Sequence, residues 1–309
     1  MKRATQRSKG WLRLMLAIGI KFADLRAESV TIATYNVENY VATDRRVDGV
    51  YRPAYPKPEA AKEALRAVIR ALDADVLALQ EMGPAAYLEE LRRDLRNEGV
   101  DYPYTALAEA ADPDRHLAVL SRRRFRRPPR VVELDFGYLG GREKVKRGVL
   151  EITLAAGRSE LTLFVVHLRS RFTERAEDPG SAMCRAGEAR AIRDFVLGRF
   201  PDPTTAPFLI LGDCNDTKAS KPLRLLTKRG GTVIAKMLPA TDSAGETWTY
   251  CYRKEDTYSR VDYILESPAL VSGADSVGRV FDGSGVGDAS DHRPVAVRLD
   301  LPEKPAGPY

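Results

Sequence analysis

Short apolar runs rich in β-branched residues recur along the chain, each bounded by polar or turn-forming positions. They predict strands at 30–35, 76–80, 117–121, 131–134, 149–154, 161–168, 208–211, 261–265 and 295–299. Helical periodicity alternates with them. Glu59–Leu72 sets Ala60, Ala64, Ala67, Val68 and Ala71 on one stripe, while 84–97 and Ala182–Arg199 read as further helices. A shorter helix is expected at 220–228, with Ser220 as its N-cap. The runs 149–154 and 161–168 flank a turn at 156–158, which predicts an antiparallel hairpin. Strands outnumber helices, and such a hairpin does not belong to a purely parallel doubly wound sheet. The expected class is therefore α/β in the mixed α+β sense. No internal repeat and no composition shift divides the chain between Ser29 and Leu301, so 28–301 reads as one domain, followed by a Pro-rich tail at 302–309.

Composition alters this picture in one place. At 44% apolar and 30% charged, the 309 residues suit a folded globular chain and argue against disorder. The net charge of +6 suggests a polyanionic partner. Yet residues 1–27 hold Lys2, Arg3, Arg7, Lys9, Arg13, Lys21 and Arg26 against Asp24 alone, so the rest of the chain sums to zero. The charge of the domain thus gives no support for nucleic acid. The same segment runs from a basic stretch through an apolar one (11–20) to Leu25-Arg26-Ala27, the order of a secretory signal. A signal peptide at 1–27 and export to a periplasmic or extracellular space are expected. The alternative is a disordered cytoplasmic leader. No later run reaches the roughly 18 apolar residues that a membrane helix needs. Cys184, Cys214 and Cys251 form no C-x-x-C pair, which excludes a zinc ribbon or a thioredoxin-like motif. They can make one disulfide at most, or remain three separate thiols.

Chemistry gathers where the predicted strands end. The first strand runs into Asn36, then Glu38 and Asn39; the second ends in Glu81. The 161–168 strand delivers His167, and 208–211 leads into Gly212-Asp213-Cys214-Asn215-Asp216. Asp262 opens the next strand, and Ser290-Asp291-His292 precedes the last. Carboxylates and amides supply hard oxygen ligands for Mg²⁺. A carboxylate beside a histidine orients the ring, and an amide can hold a phosphate oxygen without adding repulsion. Together these groups suit in-line attack of water on phosphorus. Each also has a bland reading: Asn36 as a turn cap, Glu81 as a helix cap, Asp213 and Asn215 as an Asx-turn, His167 as a core histidine.

Taken in order, the segments Ala33-Thr34-Tyr35-Asn36-Val37-Glu38-Asn39, Leu79-Gln80-Glu81, Ala118-Val119-Leu120-Ser121-Arg122, Val166-His167-Leu168, Leu211-Gly212-Asp213-Cys214-Asn215-Asp216, Arg260-Val261-Asp262-Tyr263-Ile264 and Ser290-Asp291-His292-Arg293-Pro294 resemble the endonuclease/exonuclease/phosphatase superfamily. That group includes pancreatic deoxyribonuclease, abasic-site endonucleases and neutral sphingomyelinases. The resemblance implies a four-layer sandwich, two mixed sheets flanked by helices, and a divalent-metal-dependent phosphoester hydrolase. A phosphodiesterase or nuclease using a His–Asp activated water is the first expectation. A phosphatase or lipid-headgroup phosphodiesterase is the alternative, and an inactive binding relative the third. It implies Glu81, Asn36 and Asp291 at the metal, Mg²⁺ first with Mn²⁺ or Ca²⁺ as substitutes. Asp213 and Asn215 fall at the water and phosphate, His292 with Asp262 as a catalytic pair, and His167 at the phosphate. Abasic-site endonucleases have a tyrosine in the place of His167, which argues against that subgroup, and Cys214 stands where many bacterial relatives have an aromatic.

Other features stay open. Arg169 and Arg171 follow His167 and are expected to bind an anionic phosphoester, DNA or RNA included. The run 122–127 carries five arginines, suiting either a phosphate-tracking patch or a charged strand edge. His116 is read as structural or surface rather than pocket rim, and Arg185, Glu188 and Arg190 as a solvated helix face. Trp248, Tyr250 and Tyr252 alternate as in a strand, with core packing favoured over stacking on substrate. Nothing requires a second copy, so a monomer is expected.

Overall fold

The computed structural model describes residues 28–156, 159–173, 175–270 and 277–301. The leader at 1–27 and the tail at 302–309 lie outside them. Among the described residues two large sheets dominate. One has seven strands in the order Ala240–Thr241, Gly278–Val280, Val295–Leu301, Glu28–Tyr40, Val76–Met82, His116–Ser121, Tyr104–Ala108. The other has six: Lys236–Met237, Asp262–Glu266, Phe208–Asp213, Ser159–His167, Val149–Ala156, Arg130–Val132. Both are mixed. Glu28–Tyr40 pairs parallel with Val76–Met82, as Ser159–His167 does with Phe208–Asp213, and the neighbouring pairs are antiparallel.

The alternation within each strand explains the layering. Val30 and Ile32 face one core; Ala33, Tyr35 and Val37 face another. Leu163, Val165, Leu209 and Leu211 join Val30 and Ile32 between the sheets, whereas Phe164, Val166, Phe208 and Ile210 point outward to helices. A strand buried on both faces is apolar at most positions, which is why these runs are nearly continuous rather than alternating. The helices cover the outer faces. α1 (Glu59–Leu72) and α2 (Ala85–Asn97) add Leu65, Val68, Ile69, Leu88, Leu91 and Leu95 to the first sheet's outer core. α3 (Ala182–Arg199) and α4 (Lys221–Thr227) add Ile192, Val196, Leu223 and Leu226 to the second's. The result is the four-layer sandwich.

Every predicted strand and helix is present, and 149–156 pairs with 159–167 as an antiparallel hairpin. The two residues joining them, 157–158, lie outside the described set. Ser220 does stand at the N-cap of α4, but its side chain makes no capping bond. The three cysteines are free thiols, with Cys184 and Cys214 buried. Among the described residues no helix is long and apolar enough to cross a membrane.

The helix α3 corrects one expectation. Arg185 and Glu188 are buried, not a solvated face; only Arg190 is exposed. Arg185 donates to Asp216 at 3.1 Å and to the carbonyl of Gly180 at 2.7 Å. Glu188 accepts the backbone N–H of Lys146 at 3.1 Å and of Arg169 at 2.6 Å, tying two loops to one helix. Glu188→Ala would leave both donors unmet in a buried setting. We expect it to cost about 2–5 kcal/mol, read as a lower denaturant midpoint.

Candidate active site

The sheet registers bring the polar strand ends together. In the six-stranded sheet His167 lies directly across from Asp213, and Asp213 across from Asp262. Gly212 makes this possible. Its φ of +144° is in the region favouring glycine, and a Cβ there would sit 1.9 Å from the carbonyl oxygen of Val166. In the other sheet, Asn36 pairs with Gln80, placing Glu81 just beyond it. A bulge follows, with left-handed backbone at Glu38, Asn39 and Glu81. A side-chain bond joins the two sheets here: the Asn36 amide donates to Asp213 Oδ2 at 3.0 Å.

Asp213 is the hub. Its Oδ1 accepts the N–H of Asn215 at 2.7 Å, the expected Asx-turn. Asn215 also donates from its amide to the carbonyl of Leu168 at 2.9 Å. His167 Nε2 lies 3.4 Å from Asp213 Oδ2, and His292 Nε2 lies 3.9 Å from the same oxygen. His292 Nδ1 is 2.8 Å from Asp262 Oδ2. Ser290 locks this histidine to the first strand, since its hydroxyl donates to the Asn36 carbonyl at 2.8 Å and accepts the His292 N–H at 3.0 Å. Thr249 Oγ1 accepts the N–H groups of Val261 and Asp262, holding the strand end that carries Asp262. The ring of Tyr250 packs on His292, centroids 4.8 Å apart.

Electrostatics separate the two histidines. Burial holds His167 well below its usual range, helped by Arg147, His292, Arg115 and Lys146 nearby, so it is neutral. Burial also opposes charge on His292, but Asp262, Asp213 and Asp291 outweigh it and raise His292 well above 6.5. Asp213 is pushed up to about 7 by burial and by Asp262, against the pull of His292. Asp213 and His292 are therefore linked, each favouring the charged form of the other.

A second charged group lies beside this one. Asp291 is pushed up to about 6 by burial, with Glu38 and Glu81 adding repulsion against the pull of His292. The Asp291 N–H donates to Glu38 Oε2 at 3.1 Å, and the Asn39 N–H to Glu81 Oε2 at 2.9 Å. Glu81 therefore does not cap α2. Glu38 and Glu81 thus lie close enough to Asp291 to oppose its charge. Asp213, Asp262 and His292 also offer ligand atoms within 4.8 Å of one another. His292 Nδ1 in that group is engaged with Asp262 at 2.8 Å.

A sequence model of the Endonuclease/Exonuclease/phosphatase family matches residues 33–292, from the first strand to His292. The chain belongs to that family. No curated protein matches it by sequence. Among solved structures, sphingomyelinase C from Streptomyces griseocarneus is 16% identical with a TM-score of 0.61, over 88% of this chain and 99% of that one. A beta toxin mutant from Staphylococcus aureus with bound magnesium ions is 15% identical with a TM-score of 0.62, over 87% and 99%. Truncated TDP2 from Caenorhabditis elegans is 14% identical with a TM-score of 0.58, over 90% and 99%. At these identities the likeness is one of fold.

Within this family fold, other residues fall into place or out of it. Arg169 is half-buried beside the site; Arg171 is exposed and 3.6 Å from Asp216. His116 is buried opposite Met82, one residue beyond Glu81. The arginine run lies at the far end of the sheet: Arg122 pairs with Asp73 at 2.7 Å, and Arg127 with Glu160 at 2.7 Å. Asp73 precedes the strand that ends at Glu81, so the run sits opposite the site, and the phosphate-tracking reading is not supported. The strand near Trp248 is only Tyr250–Tyr252, and Tyr250 serves the site rather than a core. Glu38 was visible in the sequence as a strand-end acid but carried no role. Arg115, which donates to Asn39 Oδ1 at 2.5 Å, gave no signal.

Proposed function

We propose that this family member is a divalent-metal-dependent phosphodiesterase, acting as a nuclease on DNA or RNA. The observation that carries the reading is Asp213, buried at the junction of the two sheets with His292, Asn36, Asn215 and His167 around it. Glu81, Asp291 and Asn36 would hold Mg²⁺, for which Mn²⁺ or Ca²⁺ can substitute. When bound, the ion neutralises a phosphoryl oxygen and polarises the ester. The Asp213–His292 pair takes the proton of the attacking water, with Asp262 fixing the His292 ring. Asn215 orients the water and touches the phosphate. His167, neutral at working pH, faces a phosphoryl oxygen without repelling it, and Arg169 and Arg171 draw in the anionic substrate.

Three outcomes follow. kcat/KM should rise with unit slope up to about pH 7 and then level, because the raised carboxyl group is protonated and inactive below that point. Asp262→Asn removes one cause of that rise, so its acid limb should move to lower pH while the rate falls by about 10²–10⁴. A limb that stays in place contradicts the assignment. Glu81→Gln should raise the metal concentration for half activity by at least about tenfold, measured by Mg²⁺ titration.

A substrate panel tests the class. Supercoiled DNA, RNA, synthetic mono- and diesters, sphingomyelin and inositol phosphates are each offered with Mg²⁺ and with chelator. Cleavage of nucleic acid or a simple diester only with metal supports the nuclease reading. Turnover confined to monoesters or to sphingomyelin replaces it with the phosphatase or lipid-headgroup reading.

A further inference from the structure

A cavity of about 430 Å³ opens on the His167 side of the site, lined in part by Lys146, Arg169, Arg175, Tyr138 and Phe172. Its size suits a ligand, not a single water. It is joined to the site by short steps. Arg169 is two residues past His167, and Lys146 is among the charges that hold His167 neutral. Glu188 fixes both walls, accepting the N–H of Lys146 with one oxygen and that of Arg169 with the other.

The basic groups of the lining outnumber the acids. Lys144 is paired with Glu133 at 2.7 Å, which leaves Lys146, Arg169 and Arg175 against Glu143 and Glu188, whose oxygens accept backbone N–H groups. Lys146 lies 3.5 Å from Asp112, which Arg147 already engages at 3.0 Å. The guanidinium groups of Arg169 and Arg175 make no hydrogen bond or ion pair with another side chain among the described residues. Arg175 lies over the ring of Tyr138, 5.5 Å from its centroid. Phe172, at 74%, is the most exposed large apolar side chain among the described residues. An aromatic left in water at the mouth of a basic cavity has a flat face to offer.

We propose that this cavity is a second phosphate subsite, taking a phosphate group adjacent to the one being hydrolysed. The substrate class is then a molecule bearing at least two phosphates, with Lys146, Arg169 and Arg175 as the donors. The assignment rests on the phosphoesterase reading above for which phosphate is the first. The second can come from the next residue of a nucleic-acid strand or from a small bisphosphorylated molecule.

Calorimetric titration with Mg²⁺ present compares thymidine 5′-monophosphate with thymidine 3′,5′-bisphosphate, and fructose 6-phosphate with fructose 1,6-bisphosphate. A bisphosphate should bind about tenfold or more tightly than its monophosphate, the scale of one charge-assisted contact. The Lys146→Gln/Arg175→Gln double variant should lose that gain. Arg175→Gln alone, at an exposed position, should lose part of it and serves if the double variant does not fold. A gain in the nucleotide pair alone identifies a strand as the source, and an equal gain in the sugar pair a small bisphosphate. Equal binding within both pairs, or a gain that survives both variants, overturns the proposal. Diester turnover without any bisphosphate gain removes the subsite and leaves the hydrolase; a gain without diester turnover does the reverse.

Discussion

Asp213→Asn should lower kcat/KM on a phosphodiester by about 10³–10⁴, the upper range for loss of a general base, while the protein stays folded. The side chain keeps its shape, and an amide oxygen can still accept the N–H of Asn215. What disappears is the group that takes a proton near neutrality. On stability two effects oppose each other: the amide loses the bond from Asn36, but it removes a buried carboxyl group whose pKa, raised from 3.8 to about 7, costs stability increasingly between those pH values and fully above pH 7. Loss of activity with equal or greater stability separates a catalytic role from a structural one. A variant that loses both would place Asp213 in the scaffold instead.

Gly212→Ala has the largest expected effect on the fold. The added methyl group would meet the Val166 carbonyl at 1.9 Å, inside a parallel pair that is buried on both faces. The neighbour is backbone and cannot turn aside. Separating the strands breaks the register that sets His167 across from Asp213. We expect a loss of about 4 kcal/mol or more, seen as a fall in the melting temperature on the order of 10 °C. A variant with wild-type stability would show that the glycine is dispensable and that the register has another cause.

Most of the strands were legible because both faces are buried, which leaves uninterrupted apolar runs such as 163–166 and 208–211. The hairpin of Thr43–Val47 and Val50–Tyr55 gave no such signal. It is exposed at most positions and mixes charged residues with valine, tyrosine and proline in no regular period. The strand ends were legible as chemistry for a related reason: a polar residue after an apolar run has left the core. Their mutual geometry was not. The bond from Asn36 to Asp213 spans 177 residues, and only the pairing of sheets reveals it. Arg185 and Glu188 failed in the same way. Helical spacing suggested local pairing on a wet face, whereas their partners are Asp216, 31 residues ahead, and two backbone groups in separate loops. The arginine run is the converse. Its density was local, but the acids that pair with Arg122 and Arg127 come from elsewhere: Asp73 at the end of α1 and Glu160 in Ser159–His167.

The central claim is that the Asp213 junction hydrolyses phosphodiesters with a divalent metal. It is tested most directly by following bis(p-nitrophenyl) phosphate and p-nitrophenyl phosphate with purified wild-type and Asp213→Asn protein, each in Mg²⁺ and in chelator. The account predicts diester turnover by the wild type in Mg²⁺, with none above background in chelator or in the variant. Diester turnover that persists in chelator or in Asp213→Asn, or turnover of the monoester alone, would contradict it.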